Sequence, residues 1–268
     1  MGTDARKGLE VTKWDNWLKE IESEYRKHPK DFLRQERFST LMHTSSVGWM
    51  RHYWDEIKND DFFMREVVPH VHDGDVGYPY RTSDEYQNLS PCTIGGLNVL
   101  YMMRKYWELF PPEDIQYILD VGGGYGNTCK ICHNLGYVGR YVIADFPLML
   151  HIQRRFLTDN RIHDVEFELL DMPKLLPPNN CKSLLLATNS VCEMPVETRL
   201  EIEPHYKSFD YLFFAHNDLF DGVDNMEYFG GLKERLEAKK LFHVDWIEDV
   251  GRNKRFKCNN WFMLCRKR

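Results

Sequence analysis

Ile118-Leu-Asp-Val-Gly-Gly-Gly-Tyr-Gly126 is the stretch on which the fold turns. An apolar run of strand length enters a glycine loop, and the residues from Asn127 onward read as a helix. Gly122, Gly124 and Gly126 stand in a G-x-G-x-G spacing, in which the missing Cβ lets the backbone turn tightly and approach a ligand closely. A dinucleotide fingerprint needs G-x-G-x-x-G, but Asn127 follows Gly126, so the pyrophosphate spacing is missing. Asp120 stands two positions before the first glycine, where a carboxylate suits a cationic ligand group better than a phosphate. The plainer alternative is a tight strand-to-helix turn with no ligand.

Downstream of this loop, short apolar runs alternate with helix-length segments, the pattern of a parallel α/β sheet. The runs at Tyr117–Val121, Tyr141–Ala144, Val165–Leu169, Ser183–Ala187 and Tyr211–Ala215 predict five parallel strands. Phe242–Val250 and Asn260–Arg266, joined by the turn-rich Gly251–Asn253, predict a terminal hairpin. Upstream the character changes near residue 110. Trp14, Trp17, Leu18, Ile21 and Tyr25 fall at helical spacing within Lys13–Tyr25, and a second helix is expected over Leu41–Ile57. Pro69–Ser83 reads as a connection. Ser90-Pro91 reads as an N-cap followed by proline at N1, opening a helix to about Leu109 that Pro111-Pro112 stops. The expected division is a helical lobe or cap over residues 1–109 and a sheet domain over 110–268.

The 268 residues carry 35 Lys+Arg against 41 Asp+Glu, a net charge of −6 that argues against a general nucleic-acid binder. The longest uncharged run, Tyr86–Met103, is broken by polar residues, proline and two glycines, so no membrane span is expected. The first residues, with Asp4, Arg6, Lys7 and Glu10, hold no apolar h-region, and the expected location is cytoplasmic, the host's if the chain is viral. Seven cysteines, an odd number, read as buried small side chains rather than a disulfide frame. Cys129-Lys-Ile-Cys132-His133 matches a haem-attachment pattern, but positions i and i+3 of a helix also pack together easily.

Two further carboxylates follow strand ends. Asp145 lies 19 residues after Gly126, near the distance at which nucleotide folds set an acid on ribose hydroxyls; as the residue before Phe146-Pro147 it can also open a helix. Asp171 can accept from an exocyclic amine while Met172 offers an apolar surface to a base. Asp120-Val-Gly-Gly-Gly-Tyr-Gly126, Asp145 and Asp171 resemble the class I S-adenosylmethionine (SAM)-dependent methyltransferases. The resemblance implies a Rossmann-like sheet ending in an antiparallel hairpin. It also implies Asp120 near the methionine amino group, Asp145 on the ribose and Asp171 on the adenine amine, with S-adenosylhomocysteine as product. Ala144-Asp-Phe-Pro-Leu-Met-Leu150 and Ala187-Thr-Asn-Ser-Val-Cys-Glu-Met-Pro195 narrow the resemblance to the sugar O-methyltransferases of polysaccharide gene clusters and some large viruses. Cys192 and Ala215-His-Asn-Asp218 depart from that family's pattern.

On this reading the cofactor contacts are Asp120, Gly122, Gly124, Gly126, Asp145, Phe146, Asp171, Met172 and Asn189. The acceptor, a hydroxyl of a glycan or nucleotide-linked sugar such as a deoxyhexose, would meet Tyr125, Ser190 and Asn217. Methyl transfer needs the oxygen in line with the sulfonium methyl and a base for its proton; Glu193 is the first candidate and His216 the second. No metal is expected, although His70-Val-His72-Asp73-Gly-Asp75, or Asp218 with Asp221, supplies potential ligands. Trp14, Trp17, Trp49, Trp54 and Trp107 are core residues or a cap over the sugar. Lys254, Arg255, Lys257, Arg266, Lys267 and Arg268 form a basic end. The alternatives are a methyltransferase for a non-sugar small molecule and a non-catalytic binding subunit of the same fold.

Overall fold

The computed structural model describes residues 13–45, 47–249 and 259–268. Helices α1 (Lys13–Lys27), α2 (Glu36–Met42), α3 (Val47–Ile57), α4 (Pro91–Trp107) and α5 (Pro111–Asp114) precede the sheet. Then follow β1 (Tyr117–Val121), α6 (Asn127–Asn134), β2 (Arg140–Ala144), α7 (Pro147–Asp159), β3 (Val165–Glu168), β4 (Ser183–Thr188), α8 (Val196–Ile202) and β5 (Tyr211–Asn217). The chain closes with β6 (Leu219–Phe220), β7 (Val223–Asp224), α9 (Asn225–Ala238), β8 (Phe242–Glu248) and β9 (Asn260–Lys267).

The main sheet has the order β3-β2-β1-β4-β5-β9-β8. Its first five strands are parallel, and β9 runs antiparallel to both β5 and β8. This is the expected Rossmann-like sheet, parallel through its first five strands and ending in an antiparallel hairpin. Both faces of the central strands are covered, which explains why β1, β2, β4 and β5 read as nearly continuous apolar runs, whereas the edge strands β3 and β8 mix polar and apolar residues. Ile118, Ile143, Leu184, Leu186, Phe213 and Leu264 enter one core, together with Ile21, Phe38, Trp54, Leu97 and Trp107 from the helical region. The alternate residues Leu119, Val121, Val142, Leu185, Leu212 and Phe214 enter the other, beside Phe229 and Leu232 of α9. Helix α4 is seated on α6 and β9, and a Cβ on Gly96 would lie 2.5 Å from Ile131 Cδ1.

Ser90 caps α4 as expected, accepting from Thr93 N at 3.2 Å with Pro91 at N1. The helix expected over Leu41–Ile57 forms over Val47–Ile57, while Leu41 and Met42 belong to the preceding helix. Helix α2 ends at Met42 and His43 takes a left-handed φ of 53°. The buried Thr44 hydroxyl donates to Leu33 O at 2.6 Å, tying the turn after α2 to a segment eleven residues earlier in the chain. The β6–β7 hairpin carried no recognised signal. The turn at 251–253, the first twelve residues, and Lys254, Arg255 and Lys257 of the basic end lie outside the described residues; Arg266, Lys267 and Arg268 are exposed.

Candidate active site

Strand order reverses at β1, whose neighbours β2 and β4 lead away in opposite directions. The crevice at the carboxyl end of such a switch point is where open α/β sheets bind ligands. The glycine loop and the loop after β4 meet here. Gly122, Gly124 and Gly126 all adopt positive φ (70°, 59° and 95°), and a Cβ on Gly122 would lie 2.4 Å from Ser190 Cβ. Ser190 Oγ donates to Val121 O, so this residue latches the two loops together. The amides of Gly122, Gly124 and Gly126 donate to Ala144 O, Gly122 O and Gly123 O at 2.8, 2.7 and 2.9 Å. They are committed within the protein rather than presented to an anion, in keeping with the missing pyrophosphate spacing.

Beside this loop, Asp145 Oδ1 accepts from Phe146 N at 2.7 Å and Oδ2 from Gln153 Nε2 at 2.7 Å. Phe146, not Asp145, is the N-cap residue of α7. Burial pushes the Asp145 carboxyl up to about 7, against the two donors that stabilise its charged form. The same Gln153 Nε2 also donates to Gly124 O at 2.9 Å, tying the carboxylate to the glycine loop. Gln153 is fully buried and was not singled out in the sequence. Its signal was a polar residue on the face of α7 that Met149, Ile152, Phe156 and Leu157 otherwise make apolar. Asp120 lies beneath the loop, buried, with Oδ2 accepting from Tyr141 Oη at 2.9 Å and Oδ1 without a hydrogen-bond partner among the described residues. Burial raises its carboxyl to about 7 as well.

Glu193 sits on the short turn after β4 and accepts from Trp14 Nε1 at 3.0 Å. Trp14 also packs on the exposed Phe146 ring at 5.7 Å and on Trp17 at 5.4 Å, and Trp17 meets Phe220 at 5.9 Å. Lys13 pairs with Asp221 at 2.9 Å. Helix α1 thus bridges the loops after β2, β4 and β6. Asn189, with φ 61°, has a buried Oδ1 with no hydrogen-bond partner among the described residues. Asp171 is partly exposed after β3 and pairs with Lys174 at 2.6 Å. Asn217 Oδ1, at the end of β5, accepts from Asn225 Nδ2 at 2.7 Å.

Besides the buried Asp120, three further expected site residues have their side chains in the core. Tyr125 is 4% exposed and packs edge-on to Phe156 at 4.9 Å, because the residue between Gly124 and Gly126 turns inward under α7. Met172 is 3% exposed, its side chain drawn into the second core among Tyr117 and Leu185. His216 is fully buried, stacked at 4.0 Å on Phe229. Its Nε2 accepts from Trp246 Nε1 at 3.0 Å, so Nδ1 carries the proton and donates to Asn217 O at 3.0 Å. Burial lowers its pKa to about 4, and neither nitrogen is left for a substrate proton.

The His70–Asp75 cluster does not converge either. His70, His72 and Asp75 are exposed, whereas Asp73 is buried, accepting from Ser90 Oγ at 2.8 Å. Among the described residues, no three His, Cys, Asp or Glu side chains are grouped to hold a metal ion. Cys129 and Cys132 are both buried on one face of α6, their thiols pushed up by burial. Trp49, Trp54 and Trp107 are core residues, which leaves Trp14 and Trp17 at the edge.

No family model and no curated protein matches the sequence. Among solved structures, a SAM-dependent methyltransferase from Aquifex aeolicus is similar over 63% of this chain and 97% of its own, at 18% identity and a TM-score of 0.43. The ribosomal protein L11 methylase of Lactobacillus delbrueckii subsp. bulgaricus is similar over 65% and 80%, at 15% identity and a TM-score of 0.42. The cyclase SpnF is similar over 84% and 96%, at 15% identity and a TM-score of 0.49.

Proposed function

We propose that this chain is a SAM-dependent O-methyltransferase whose acceptor is a sugar hydroxyl of a glycan or nucleotide-linked sugar, with residues 1–109 acting as a cover over the 110–268 sheet. The observation that carries this reading is the meeting, at the β1/β4 switch point, of a positive-φ glycine loop with Asp145, Asn189 and Glu193. The donor set fits the cofactor. Asp145 suits ribose hydroxyls, which donate to a carboxylate, and the exposed Phe146 ring offers a face to adenine. Asp171 suits the exocyclic amine, and the unpartnered Asn189 Oδ1 accepts a donor from the ligand. Asp120, buried beneath the loop and bonded to Tyr141, lies under the position proposed for the methionine amino group, and a cation bound there would favour its ionised form.

SAM supplies a methyl group on a sulfonium, which leaves as the neutral thioether of S-adenosylhomocysteine. The protein's part is placement of the acceptor oxygen and removal of its proton. Glu193 takes that proton onto a carboxylate oxygen, and Trp14 orients the carboxylate through its indole N–H. Trp14 and Trp17 present aromatic faces on which a pyranose ring stacks. The same faces accommodate an aromatic acceptor, which makes a phenol the alternative substrate class.

Incubation with isotopically labelled SAM and a panel of sugars, oligosaccharides and phenols, followed by mass spectrometry, tests this. Label is expected in a sugar product, and Glu193→Gln is expected to lower turnover by about 10²-fold or more with cofactor binding intact. Methylation confined to phenols would reject the sugar acceptor. No calorimetric signal at millimolar SAM would reject catalysis and leave a binding subunit.

A further inference from the structure

A buried arginine behind the β4 loop has no role in the reading above. Arg199, on α8, is fully buried, and among the described residues no carboxylate pairs with it. Burying a guanidinium is costly unless its donors are satisfied, so its acceptors show what it is there to hold. Nη2 donates to Cys192 O at 2.6 Å and Nε to Met194 O at 2.8 Å, the carbonyls on either side of Glu193. Nη1 donates to Asn225 Oδ1 at 2.7 Å. Asn225 in turn donates through Nδ2 to Asn217 Oδ1 at 2.7 Å, and its backbone N to Asp218 O at 3.0 Å.

From this geometry we infer that Arg199 is a positioning residue for Glu193: it clamps the turn that carries the carboxylate and locks that turn to the end of β5. The inference rests on the role proposed for Glu193. Three divergent donors in one plane are needed. A guanidinium supplies them, whereas an ammonium can reach one or two of these acceptors with no fixed fork. Arg199 reaches Glu193 through the backbone carbonyls of residues 192 and 194 rather than through its carboxylate.

The test combines Arg199→Lys with Glu193→Gln in the full chain. Hydrogen exchange read by mass spectrometry is expected to accelerate at least tenfold in the peptide spanning 190–194 of Arg199→Lys, with the peptides of β1 and β2 unchanged. The Kd for SAM is expected to stay within threefold of wild type while kcat falls at least tenfold at nearly constant acceptor KM. Adding Arg199→Lys to Glu193→Gln is expected to cost little more than Glu193→Gln alone, because both act at one carboxylate. Unchanged exchange in the 190–194 peptide overturns the clamp whatever Glu193 does, and multiplicative losses in the double variant show that Arg199 acts elsewhere. Full activity of Glu193→Gln removes the base assignment itself, a failure separate from unchanged exchange. Should Arg199→Lys fail to fold, Asn225→Ser removes one acceptor of the clamp, and the same exchange and kinetic pattern at smaller size decides the question.

Discussion

Asp145 carries the most specific expectation for a single side chain. Its carboxylate is held by Phe146 N and Gln153 Nε2 on the edge where a ribose is proposed to sit. Asp145→Ala is expected to weaken SAM binding by about 1–3 kcal/mol, the worth of charge-assisted hydrogen bonds, measured by calorimetry. The same residue has a pH signature. Its carboxyl is raised from 3.8 to about 7, so the folded chain binds the proton more tightly than the unfolded one. The stabilisation from that proton is complete below about pH 4 and is lost as pH rises through about 7. The Tm of the wild type relative to Asp145→Asn is therefore expected to fall from pH 5 to 7 and to level off above. A flat difference across that range would show that the carboxyl titrates normally. Gln153 belongs to this scale too: one amide bonded to both Gly124 O and Asp145 makes the loop and the carboxylate a single unit.

At the scale of elements, the site depends on how closely two loops approach across the switch point. Gly122 combines a φ of 70° with no room for a Cβ, since Ser190 Cβ would stand 2.4 Å away. Gly122→Ala is expected to cost about 1–2 kcal/mol for the left-handed backbone alone, with further loss from displacement of the β4 loop. Thermal unfolding checks this. Adding Ser190→Gly opens space but leaves the φ penalty, so only partial recovery is expected. Helix α1 forms the outer wall of the same edge, its Trp14 bonded to Glu193 and packed on Phe146. The helical periodicity of Lys13–Tyr25 was plain in the sequence, yet nothing local indicated which loops that helix would cross.

At the scale of the whole molecule, residues of the helical region and of the sheet share a continuous apolar core, running from Ile21 through Trp54, Leu97 and Trp107 to Ile143, Phe213 and Leu264. Residues 110–268 expressed alone are expected to expose that sheet face and to be aggregated or molten, with weak near-ultraviolet circular dichroism. The full chain is expected to unfold in one cooperative transition, and a stable isolated 110–268 fragment would refute this coupling. The sheet was legible in advance because burial of its central strands on both faces writes itself as nearly continuous apolar runs, and because a positive-φ turn selects glycine whatever surrounds it. The placement of Asp145 and Asp171 after strand ends followed from the same local rules. Side-chain direction did not follow. Tyr125, Met172 and His216 stand at loop and strand-end positions that suit a site, but packing turned each inward. Likewise His43 ended a helix that periodicity alone would have continued. The strands, the glycine turn and the acidic strand ends follow from local sequence, because each depends on neighbours a few residues away. The meeting of Trp14 with Glu193 across 179 residues of chain, the link of Asp145 to the glycine loop through Gln153, and the grip of Arg199 on the Glu193 turn arise from long-range packing. Those pairings are set by strand order and helix packing, which bring together groups that no local pattern connects.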